Sequence, residues 1–77
     1  MRMEQVRRFT AVIEREDDLY VALCPEVDIA SQEQTIEDAR NKLQEALSLF
    51  FEMADPAEVK KRLRSELFVT QIELCFA

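Results

Sequence analysis

Apolar and polar positions alternate with period two at the start of the chain. Over residues 7–15, Phe9, Ala11 and Ile13 alternate with Thr10, Val12 and Glu14, the pattern of a half-buried strand. Glu16, Asp17 and Asp18 then form a short acidic turn. Residues 19–24 give a second strand, with Leu19, Val21 and Leu23 on one face and Tyr20, Ala22 and Cys24 on the other. The two strands read as an antiparallel hairpin. Pro25 ends the second strand because it brings no N–H to a ladder. A short third strand is predicted over residues 27–32, with Val27 and Ile29 facing one way. The chain has no glycine, so any turn that needs positive φ must use Asp or Asn, or a longer loop.

The period then lengthens. Ile36, Ala39, Leu43, Ala46, Leu47 and Phe50 fall on one stripe, which predicts a helix over 36–53 lying across the sheet. Thr35 is its expected N-cap, and Glu37 and Asp38 suit the positive end of the helix dipole. Around Leu49, Phe50, Phe51 and Met53 the helix is apolar almost all round, so a later segment or a partner must cover that end. Asp55, Pro56 and Glu58 have the spacing of a cap, a first-turn proline and a capping box, and restart a short helix over 56–64. Residues 66–76 alternate again, with Phe68, Thr70, Ile72, Leu74 and Phe76 on one face. They predict a long last strand that adds to the sheet or exchanges between subunits. The expected fold is α+β: a three-stranded antiparallel meander, a main helix packed on it, a short second helix and a C-terminal strand, in the order β-β-β-α-α-β. The 77 residues are expected to form one domain.

Charge changes the picture more than composition does. The formal net charge is −6, which disfavours direct nucleic-acid binding because phosphate contacts need Lys and Arg. Over residues 9–39 nine acids face the single base Arg15. The bases gather at Arg7, Arg8 and at Lys60, Lys61, Arg62, Arg64. The front half is thus a candidate surface for a basic partner. The best placed carboxylates are Glu16, Asp17 and Asp18, followed by Glu26 and Asp28, then Glu37 and Asp38. No membrane span is predicted, and the charged N-terminus lacks the apolar stretch of a secretion signal.

Candidate chemistry is sparse. The chain has no His, and Cys24 and Cys75 form no CxxC motif, so neither a zinc site nor another cofactor is expected. Both cysteines read as small hydrophobic residues in strand-like stretches. Asp17, Asp18, Glu26 and Asp28 are the carboxylates available to hold a divalent cation. They lie in a turn or flank a proline break, and no enzyme is expected.

The run FTAVIEREDDLYVALCPEVDIAS, followed by Ser31-Gln32, Thr35-Ile36-Glu37-Asp38-Ala39 and a helix carrying Leu43, Glu45-Ala46 and Leu47, resembles the HicB family of antitoxins. The likeness covers residues 9–52 and is to the family's N-terminal domain. It implies a partial RNase H-like β-β-β-α-β core. It also implies a partner: a small, basic, mRNA-cleaving toxin of the HicA type, whose catalytic or RNA-binding surface the antitoxin covers. The chain departs from the family at Glu33, where a turn glycine is usual, and the backbone there is expected to differ. No helix-turn-helix or ribbon-helix-helix domain is read after residue 52, so operator binding is not implied. The expected function is therefore a cytoplasmic, non-catalytic antitoxin. An orphan oligomeric interaction domain is the alternative. A homo-oligomer is expected in either case, with Phe50, Phe51, Phe68, Ile72, Leu74 and Phe76 as its candidate interface.

Overall fold

The computed structural model describes residues 7–64 and 66–76; the charged stretch 1–6 read above lies outside them. Three strands, β1 (Val12–Glu16), β2 (Leu19–Cys24) and β3 (Ile29–Glu33), form an antiparallel sheet in the order β1-β2-β3. Two helices follow, α1 (Ile36–Met53) and α2 (Pro56–Arg62). The architecture is α+β. No helix among the described residues is long and apolar enough to cross a membrane.

The hairpin closes where the acids predicted it. Glu16 pairs with Leu19, leaving Asp17 and Asp18 as the loop. Asp17 has φ 56° and Asp28 has φ 57°, so both left-handed positions fall on aspartate, whose short polar side chain tolerates that region where glycine is lacking. Glu33, by contrast, is the last residue of β3 and keeps ordinary extended geometry. The connection to α1 therefore uses no left-handed residue there.

Strand bounds differ from the sequence pattern at the Pro25 end. β1 begins at Val12, not at residue 7. The register that pairs Val12 with Leu23 would set Thr10 opposite Pro25, which has no N–H to offer. Thr10 instead donates its amide to a Glu26 carboxylate oxygen at 2.9 Å. β3 begins at Ile29, not at residue 27, because Pro25 to Asp28 form a four-residue turn closed by the Asp28 amide on the Cys24 carbonyl at 2.9 Å. Val27 is buried, but as the floor of that turn and not as a strand residue.

The helices follow their caps. Thr35 has extended backbone, and its hydroxyl accepts the Asp38 amide at 3.0 Å. Asp55 caps α2 through the Glu58 amide at 2.9 Å. α2 stops at Arg62, two residues short of the predicted end. α1 lies on the sheet face that carries Ile13, Tyr20, Ala22, Cys24 and Ile29, with Ala22, Cys24, Val27, Ala39 and Leu43 buried between the layers. The apolar end of α1 is covered within the chain only at Phe50 and Phe51, while Leu49 and Met53 are 54% and 77% exposed. Phe51 stacks on Phe9 with ring centroids 5.2 Å apart, Phe50 meets Phe51 edge-on at 5.1 Å, and the Arg62 guanidinium lies over Phe50 at 5.2 Å.

The predicted C-terminal strand is not formed in the single chain. Residues 66–76 carry no secondary structure, and Phe68, Ile72 and Phe76 are 84%, 81% and 91% exposed. A strand needs a partner for its backbone groups, and this segment pairs with neither sheet edge, β1 or β3. The radius of gyration is accordingly 15.2 Å, against roughly 11 Å for a compact chain of this length.

Candidate functional site

The predicted carboxylates fall at two ends of the sheet. Strand direction decides which. β1 runs up to the hairpin, β2 runs down to Cys24, and β3 runs up again to Glu33, opposite Tyr20. Glu16, Asp17 and Asp18 therefore share the upper end with the start of α1, where Glu37 and Asp38 sit. All five are exposed. Ser31 on β3 donates its hydroxyl to the Ala39 carbonyl at 2.6 Å. This bond ties the first turns of α1 to the sheet and holds its acids beside the hairpin. Glu33, which the sequence reading left out of the site, belongs to the same end. Its signal was available: the Tyr20–Glu33 pairing follows once the meander is drawn. The local base, Arg15, directs Nε to the Asp17 carbonyl at 3.1 Å, bracing the loop backbone. Positive helix-dipole ends favour nearby carboxylates, so Glu37 and Asp38 sit there without folding cost.

Glu26 and Asp28 lie at the other end, in the 25–28 turn. Glu26 is not a free surface acid. One carboxylate oxygen accepts the Thr10 amide and the Thr10 hydroxyl at 2.9 and 2.8 Å, and the other accepts the Cys24 thiol at 3.3 Å. Desolvation pushes the Glu26 carboxyl up, but the hydrogen bonds from Thr10 and Cys24 outweigh it and hold the group below the usual carboxylate range. Burial and the Glu26 carboxylate push the Cys24 thiol up. It stays protonated at neutral pH, and so is a donor and not a nucleophile.

The basic end of α2 completes this arrangement. Arg62 donates to the Val27 and Asp28 carbonyls, both at 3.0 Å. The Arg64 amide donates to the Glu26 carbonyl at 2.9 Å, and its guanidinium to the Pro25 carbonyl. The 25–28 turn is therefore a latch joining the residues before β1, the sheet and α2. Sequence reasoning missed it because a basic helix face carries no mark of the backbone carbonyls that will receive it.

The six candidate oligomer residues also divide. Phe50 and Phe51 are half-buried in the aromatic cluster described above, whereas Phe68, Ile72, Leu74 and Phe76 stand exposed. A groove of about 910 Å³ opens between residues 7–11 and α1, floored by Phe9, Leu43, Leu47, Phe51 and Leu63. Among the described residues, no group of three or more His, Cys, Asp or Glu side chains is placed to hold a metal ion. Comparison with known proteins finds no matching family model, no matching curated protein and no matching solved structure.

Proposed function

We propose that this chain is a non-catalytic binding module that neutralises a small basic RNA-cleaving protein, in the manner of a HicB-type antitoxin acting on a HicA-type toxin. The observation that carries the reading is the upper end of the sheet. There Glu16, Asp17, Asp18, Glu33, Glu37 and Asp38 share one end of the molecule, on a hairpin loop, a strand end and a helix start. A surface that holds RNA phosphates is positive. A rigid concentration of carboxylates suits it by steering encounter and excluding RNA. The HicB-like run over residues 9–52 supports the same reading. So does the observed meander followed by a capped helix, which matches the first four elements of a partial RNase H-like core. Residues 66–76 would supply the remaining strand on pairing.

The test is inhibition of RNA cleavage by a purified HicA-type toxin, with affinity measured across a salt series. Asp18→Lys combined with Glu37→Lys is expected to weaken binding by at least tenfold, mainly through a slower on-rate. Asp17 is left in place because its left-handed backbone disfavours Lys. Full inhibition by the doubly reversed variant, or affinity indifferent to salt, would sink the reading.

A further inference from the structure

Among the described residues two features stand unsatisfied: an apolar segment without a partner and an apolar groove without an occupant. We propose that each fills the other between two copies, with residues 66–76 of one chain lying along the free edge of β1 and in the groove between residues 7–11 and α1 of the second. The pattern of the segment fits that place. A strand added at β1 presents one face to the helix side and the other to the open side of the sheet. Phe68, Ile72, Leu74 and Phe76 share one parity and suit the floor of Phe9, Leu47 and Phe51. Val69, Gln71 and Glu73 share the other, mixed parity, and would extend the open face on which Val12 and Glu14 lie exposed.

Charge gives the same answer. Arg7, Arg8 and Arg40 rim the groove, and the segment carries the acids Glu66 and Glu73 and no base. A basic-rimmed groove and an acidic arm on the same chain are self-complementary, as a twofold interface requires. The arm leaves its own domain from a fixed point, because Arg64 is pinned to the Pro25 and Glu26 carbonyls. Residues 68–76 beyond it are exposed, and the molecule measures 59 Å along its longest axis against 29 Å in the next. Extended, the arm reaches roughly 36 Å. Two phenylalanines per arm bury on the order of 150–250 Å² each, and with Ile72 and Leu74 on both arms the total passes the ~1,000 Å² of a specific interface.

The experiment uses the full chain. Sedimentation velocity is expected to give a dimer of the 9.0 kDa chain at micromolar concentration. Phe68→Asp combined with Ile72→Asp is expected to give a monomer that keeps the helical circular dichroism signal and loses only the strand contribution of residues 66–76, since both side chains are exposed in the single chain. Arg40→Glu should weaken the dimer, and adding Glu66→Arg, on the parity that faces the groove, should restore it in part. A photo-crosslinker on the exposed thiol of Cys75, in a mixture of ¹⁴N and ¹⁵N chains, is expected to join Cys75 to residues 7–11 or 40–51 of the other isotope. A monomeric wild type, a dimer that survives the double aspartate variant, or cross-links confined to one isotope would each overturn the proposal. The last outcome would instead show the arm folded back on its own groove.

Discussion

The two ends of this sheet carry similar chemistry and put it to opposite uses. At the upper end, carboxylates stand in solvent and the backbone holds them there. The hairpin loop is set by Asp17 at positive φ, and the helix start by Thr35 and Ser31. At the lower end Asp28 stays exposed, but Glu26 and Arg62 are turned inward. Glu26 binds Thr10 and Cys24, while Arg62 and Arg64 bind four backbone carbonyls between them. The difference teaches that an acid in a turn is not by itself a surface for partners. What separates Glu26 from Asp18 is whether donors without another partner lie within reach. The Thr10 amide, displaced from the ladder by Pro25, is such a donor.

Substitutions sharpen the contrast. The largest effect is expected at the latch. Glu26→Ala leaves the Thr10 amide and hydroxyl without their acceptor and should cost about 2–3 kcal/mol, read as a lower midpoint in urea denaturation. Arg62→Ala removes two carbonyl contacts and the cover over Phe50, and should cost about 2 kcal/mol by the same measurement. Asp17→Val tests the loop backbone. A β-branched residue in the left-handed region should cost roughly 1–2 kcal/mol, whereas Asp17→Gly should be tolerated. The smallest effect is expected at the free end, where Asp18→Lys should move stability by no more than about 0.5 kcal/mol while weakening binding of the proposed basic partner. If Asp18→Lys destabilises the fold as much as Glu26→Ala, the distinction between the two ends fails.

Acid distinguishes the ends a second way. The folded Glu26 carboxyl is held below its ordinary value. Its stabilisation is therefore complete at pH above the ordinary carboxylate range and is lost as pH falls through the folded value. Urea midpoints measured from neutral pH downward should fall in that window. Glu26→Gln should flatten the decline.

Much of this fold is legible in the sequence where one local rule decides. Thr35, the 36–53 stripe and the Asp55-Pro56-Glu58 restart needed only capping and periodicity, and the bounds of α1 and β2 follow from them. Glycine's absence pointed to aspartate in the left-handed turns. The latch was not legible, because it joins residues 34–39 apart, Arg62 to the Val27 and Asp28 carbonyls and Arg64 to the Pro25 carbonyl. Val27 misled by alternating with Ile29, although its burial comes from a turn. Residues 66–76 show the remaining limit. Their alternation states that one face seeks cover, but pairing belongs to two strands and only one is in that stretch. The candidate site was legible as a count of acids along the chain. Its division into two ends required strand direction, which put Glu33 in the upper group and took Glu26 out of it.

The Cys24 thiol, wholly covered and bonded to Glu26, makes the molecule its own clock. A thiol reagent can reach it only when the turn opens, so its alkylation rate in a Cys75→Ser background counts the openings one by one. Slow labelling that accelerates in Glu26→Gln would give the breathing rate of this corner directly, with no probe added to the chain.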